Sequence, residues 1–151
     1  MLQPVAHILL QVAESVDELV PGLTLEQWNA RPANIASAAF HVRHMAGVID
    51  RLFTYARGDA LSDGQFTALR AESERFTEGD AERAIAELHR RVDVAVDELR
   101  TIDAATLGEY RAVGRAKLPS TVIGCLVHGA EHAMRHVGQL SVTTRIVRAE
   151  Q

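Results

Sequence analysis

The sequence predicts an all-α fold in which four long helices pack as a four-helix bundle. Three observations lead there. Four segments carry apolar residues at steps of three and four, residues that start or stop helices bound each of them, and no stretch alternates apolar and polar residues long enough to make a strand. Four such stripes bury one another most simply in a bundle. The 151 residues suit one domain over positions 1–151 with one core.

The first helix carries Val5, Ile8, Leu9, Val12, Val16 and Leu19 at helical period. Pro4 fits its first turn, where a missing N–H has no partner to lose, and Pro21-Gly22 ends it. Thr24 with Gln27 three residues later is a capping box for one short turn carrying Trp28, and Arg31-Pro32 then breaks the chain. A second long helix is expected after Asn34. It runs through Ile35, Ala38, Val42, Met45, Ile49, Leu52 and Phe53 to Arg57, where Gly58 can take the left-handed conformation that stops a helix.

Residues 59–79 are polar, with a short helix predicted over Phe66 to Glu74. Asp80 is the expected N-cap of the third long helix, Ala81 to Leu99, whose stripe is Ala84, Ile85, Leu88, Val92, Ala95, Val96 and Leu99. Residues 101–119 are expected to form a loop. Ser120, after Pro119, is the expected cap of the last helix, Thr121 to about Arg148, which no proline interrupts.

Composition narrows the function classes. A net charge of −4 with acidic and basic residues interspersed offers no footprint for nucleic acid or an anionic membrane surface. Cys125 is the only cysteine, which excludes an internal disulfide and fits a reducing compartment. The run Met1-Leu2-Gln3-Pro4 lacks a basic start, and Glu14, Asp17 and Glu18 interrupt the apolar positions, so a cytoplasmic protein is expected.

The chemistry lies in the histidines. On the last helix Val122, Leu126, Gly129, Ala133, Val137 and Leu140 form the core face, and Cys125, His128, His132, His136, Gln139 and Thr143 form a neighbouring stripe. Imidazoles at i and i+4 lean the same way, so two of them can share one ion. Three on one straight helix cannot, because His128 and His136 are separated by about 12 Å of rise. A third ligand must come from elsewhere, and the second long helix offers His41 and His44. Rotation places His41 nearer the apolar centre of that helix, and periodicity leaves the choice open. The set points to a divalent metal, which three neutral imidazoles would hold with a coordination position left free. Metal loss is then expected below about pH 6, where imidazole protonates.

Other residues carry weaker signals. His7 and His89 stand alone on the first and third helices and read as boundary residues. Cys125 reads as a small packed hydrophobe. Glu131 precedes His132, so the zincin order of histidine followed by glutamate is absent. Gly114 and Gly124 make no phosphate loop, no nucleophile elbow is present, and Trp28 and Phe40 read as packing anchors.

The segment His132-Ala-Met-Arg-His136-Val-Gly138-Gln139 resembles the His-x-x-x-His-x-Gly-Gln signature in the last helix of the DinB-like superfamily of metalloenzymes, and His44-Met45-Ala46-Gly47 resembles that family's helix-two ligand segment. The order of elements agrees over nearly the whole chain. The resemblance implies a four-helix bundle in which His44, His132 and His136 hold a divalent metal, zinc or nickel. His41 and His128 exceed that triad and are read as lying behind the ligands or lining a pocket, with Gln139 as a candidate for orienting a ligand ring. Members with assigned activities include thiol-dependent S-transferases, and homodimers are common. The implied partners are therefore a small-molecule substrate or low-molecular-weight thiol and a second copy of the chain. A metal-dependent hydrolase and a non-catalytic metal-binding scaffold or stress-response bundle are the alternatives.

Overall fold

Pro4 sits in the first turn of α1 (Gln3–Leu19) as the sequence predicts, and Leu2 supplies the carbonyl that Val5 and Ala6 need at the helix start. The computed structural model describes residues 2–149, so Met1 of the run Met1-Leu2-Gln3-Pro4 lies outside them. The Thr24–Gln27 capping box opens the short α2 (Leu25–Asn29) with both reciprocal hydrogen bonds in place. Three further long or medium helices and a last long one follow: α3 (Ala38–Arg57), α4 (Asp63–Ala71), α5 (Asp80–Thr101) and α6 (Val122–Ala149).

The chain is mostly helical, and its four long helices share one core. α3 packs on α6 and α5, and α1 packs on the same two, so every long helix has two long neighbours. Leu9 and Val12 of α1, Ile49 of α3, Leu88 of α5 and Leu126 and Leu140 of α6 are fully buried, each burial worth about 1.5–3 kcal/mol. The predicted core face of the last helix is the buried face of α6. Among the described residues no helix is long and apolar enough to cross a membrane.

Several boundaries differ from expectation for local reasons. α3 begins at Ala38 because Ser37 Oγ accepts the Phe40 N–H, while residues 32–34 form a single 3-10 turn with Ala33 and Asn34 at positive φ. α4 covers Asp63–Ala71, earlier than Phe66 to Glu74, because Ser62 and Gln65 make a capping box. Asp80 is the first residue of α5 and Gly79 occupies the cap position. The Asp80 carboxylate reaches back to the Thr77 N–H and hydroxyl. Gly58 ends α3 at φ 86°, the left-handed conformation expected of it.

The expected loop over 101–119 contains the largest correction. Its second half is a hairpin, β1 (Tyr110–Val113) against β2 (Leu118–Thr121), antiparallel with Tyr110 opposite Thr121 and Val113 opposite Leu118. Strands of four residues are too short for period-two alternation to register. Ser120 therefore belongs to β2, and Thr121 Oγ1 takes the Gly124 N–H at the start of α6. The Glu109 and Leu107 carbonyls take the next free donors, those of Val122 and Ile123. Arg111 Nε donates to the Ala56 carbonyl, which ties the hairpin to the end of α3.

Candidate metal centre

The α3–α6 contact places two helical histidine pairs face to face. His44, His132 and His136 each present a ring nitrogen, and the three nitrogens lie within 4.8 Å of one another, a set that could hold a metal ion. Their ring centroids are 4.4 Å (His44–His136), 4.9 Å (His132–His136) and 5.2 Å (His44–His132) apart. His132 and His136 are one turn apart on α6, and His44 is brought to His132 from 88 positions earlier in the chain.

Hydrogen bonding orients two of the three rings. His44 Nδ1 lies 2.7 Å from Glu72 Oε2; a carboxylate can only accept, so Nδ1 carries a proton, and in the neutral ring Nε2 is the bare nitrogen. That bare Nε2 lies 3.0 Å from His132 Nε2. His136 Nδ1 lies 2.9 Å from His41 Nδ1, so His136 can donate there and keep its own Nε2 bare. His132 Nδ1 is buried with no hydrogen-bond partner, at a cost of about 1–3 kcal/mol for such an orphan. Three imidazole nitrogens gathered within 4.8 Å, with His132 Nδ1 unsatisfied, suit a borderline cation.

Burial and neighbouring charge favour the neutral form of His41, His132 and His136. Burial, helped by repulsion from His44 and then His41, holds His136 down at about 3. His41 is held at about 4 by burial and by His44, against a backbone hydrogen bond at Ala36 that favours its charged form. His132 is lowered by burial first, with His44 and His128 adding to it. Neutral imidazole is the form that binds metal.

His41 is the deeper of the two α3 histidines, 3% exposed, as helix rotation indicates, yet its contact is with the ring of His136. His128 is half-exposed, 3.6 Å from Glu131, with its ring edge-on to His132 at 5.4 Å. Gln139 is exposed at the rim of a neighbouring cleft, and among the described residues no hydrogen bond joins it to a ring nitrogen. Cys125 is buried and free. Glu131 pairs with Arg135, His89 with Asp17, and His7 is exposed. Trp28 is a packing anchor against Phe76, but Phe40 belongs to the site, stacked on the His44 ring at 5.1 Å and 13°.

Glu72 and Arg51 are the residues that sequence reasoning misses. Glu72 is 4% exposed, just past the end of α4, and Arg51 Nη1 donates to its other oxygen at 2.6 Å. The available signal was Gly47, a glycine inside a strong helix one turn after His44. A Cβ there would lie well inside contact distance of Glu72 Oε1 and 2.6 Å from Arg51 Nη1.

Beside the rings, His41 and His136 border a cleft of about 430 Å³ whose walls include Ile35, Val142 and Arg135. A family model of the DinB superfamily matches residues 8–140, a span that holds all three converging histidines and most of the fold. The chain belongs to the DinB superfamily. No curated protein matches it.

Proposed function

We propose that this protein is a divalent-metal-binding enzyme, a single four-helix-bundle domain over residues 1–151, with His44, His132 and His136 as the metal ligands. The observation that carries the reading is the convergence of one ring nitrogen from each of three imidazoles, with His132 Nδ1 buried and without a hydrogen-bond partner. Zinc and nickel both suit imidazole ligands. A bound ion of this kind is a Lewis acid that lowers the pKa of a thiol or water beside it.

The chain supplies orientation and access. Glu72 Oε2 accepts from His44 Nδ1–H, and His41 Nδ1 can accept from His136 Nδ1–H, an arrangement that leaves the opposite nitrogens of the neutral rings bare. Ile35 and Val142 are exposed apolar walls of the cleft beside His136, suited to the body of a small-molecule substrate. That open cleft favours an enzyme over a closed, fully ligated scaffold. Transfer of a low-molecular-weight thiol to an electrophile is the activity we assign, following the superfamily, with metal-dependent hydrolysis as the alternative. A homodimer and a cytoplasmic location belong to the same reading, the latter supported by the lone buried Cys125.

Protein reconstituted with Zn²⁺ or Ni²⁺ should carry about one ion per chain by elemental analysis. His136→Ala should abolish uptake, and His89→Ala, on the exposed pair with Asp17, should leave it intact. No ion in the wild type, or equal loss in both variants, overturns the reading. Thiols offered with electrophilic acceptors, against esters offered alone, separate transferase from hydrolase.

A further inference from the structure

We propose that Glu72 is a positioning residue of the histidine centre, selecting the His44 tautomer that can ligate, with Arg51 and Gly47 holding its carboxylate in place. The inference rests on the metal-centre reading above.

The geometry is a chain of three groups. Arg51 Nη1 donates to Glu72 Oε1 at 2.6 Å, and Glu72 Oε2 accepts from His44 Nδ1 at 2.7 Å. Both carboxylate oxygens are engaged in a buried setting, so neither the ring nor the carboxylate can turn alone. Stability does not account for the arrangement, since a buried ion pair repays its desolvation poorly and an apolar replacement is often as stable. A glycine inside α3 costs helix stability too, and here it clears the space the carboxylate and guanidinium occupy. Two unfavourable choices converge on one nitrogen of one ligand.

Glutamine at 72 cannot do the same work. If its carbonyl oxygen accepts from His44, its amide NH₂ faces the Arg51 donors. If the oxygen turns to Arg51, the NH₂ donates to His44 Nδ1, and the proton moves to Nε2, where it blocks ligation. Gly47→Ala displaces the carboxylate without removing it, and the adjoining cavity of about 240 Å³ between α3, α4 and α5 gives the displaced group room.

The test measures zinc affinity by competition with a chromophoric chelator and reads the His44 tautomer in the metal-free protein by long-range ¹⁵N–¹H NMR. Glu72→Gln and Gly47→Ala should each bind zinc about 10–100-fold more weakly than wild type. In Glu72→Gln the His44 ring should shift from the Nδ1–H toward the Nε2–H form. His132→Ala, which removes a ligand, should lose binding outright. Unchanged affinity in both variants with His44 still Nδ1–H overturns the proposal and leaves the metal centre standing. If wild-type protein takes up no zinc, the metal reading falls separately, and an Nδ1–H ring persisting in Glu72→Gln still overturns the role of Glu72. Should Glu72→Gln fail to fold, Gly47→Ala carries the measurement.

Discussion

An imidazole that water cannot reach resists protonation, and this governs how the centre responds to acid. His136 and His41 are held at about 3 and about 4, against 6.5 for a free ring, chiefly by burial. Between 6.5 and those values the unfolded chain binds protons that the folded chain refuses. Stability of the metal-free protein should therefore be full above about 6.5 and fall as pH drops through that window. Urea unfolding from pH 7.5 to 4.5 checks this, and a flat profile would contradict it. The same shifts leave His132 and His136 neutral to lower pH than an exposed ring. His132 and His136 are legible in the sequence because a step of four fixes their common side. His41 against His44 is not, because rotation reports depth in the helix, and the nearest facing nitrogen depends on where α6 lies.

Among the elements, α3 does most to build the site, since it carries His41, His44, Gly47 and Arg51 on 20 residues. Its start is fixed by one hydroxyl. Ser37→Ala removes the acceptor for the Phe40 N–H and should cost about 0.5–2 kcal/mol, read as a lower urea midpoint with unchanged slope. The long helices can be read from their apolar stripes alone, since Val42, Met45, Ile49 and Leu52 recur at helical steps and are all buried. Ends are harder to read: Ser37 and Asn34 both offer side chains that cap, and only the backbone turn at Ala33 and Asn34 decides between them. The hairpin is illegible for a different reason. Its pairing is between strands too short to show a pattern, and it is held by contacts to α3 and α6 that local sequence does not encode.

At the scale of the molecule, a few polar side chains tie distant parts of the chain. Asn29 donates to the Phe76 carbonyl and accepts its N–H, both buried, joining α2 to the segment that leads into α5. Asn29→Ala strands two backbone groups at about 1–3 kcal/mol each. The sole tryptophan, Trp28, packs on Phe76, so its emission should report the resulting fall in melting temperature. Such ties, like the path that returns Glu72 to α3, join residues tens of positions apart and leave no local pattern. α6 has one more property at this scale. It is a single unbroken rod from Val122 to Ala149, anchored at its head by the carbonyls of Glu109 and Leu107. His132 and His136 are thus set like teeth on a shaft whose angular phase the hairpin dictates. One residue inserted between Gly124 and His128 would turn both by about 100°, whereas the Gly114–Lys117 bend can lengthen without turning the shaft. Residues added to the bend should therefore leave the centre assembled, while a residue added between Thr121 and His136 should pull it apart.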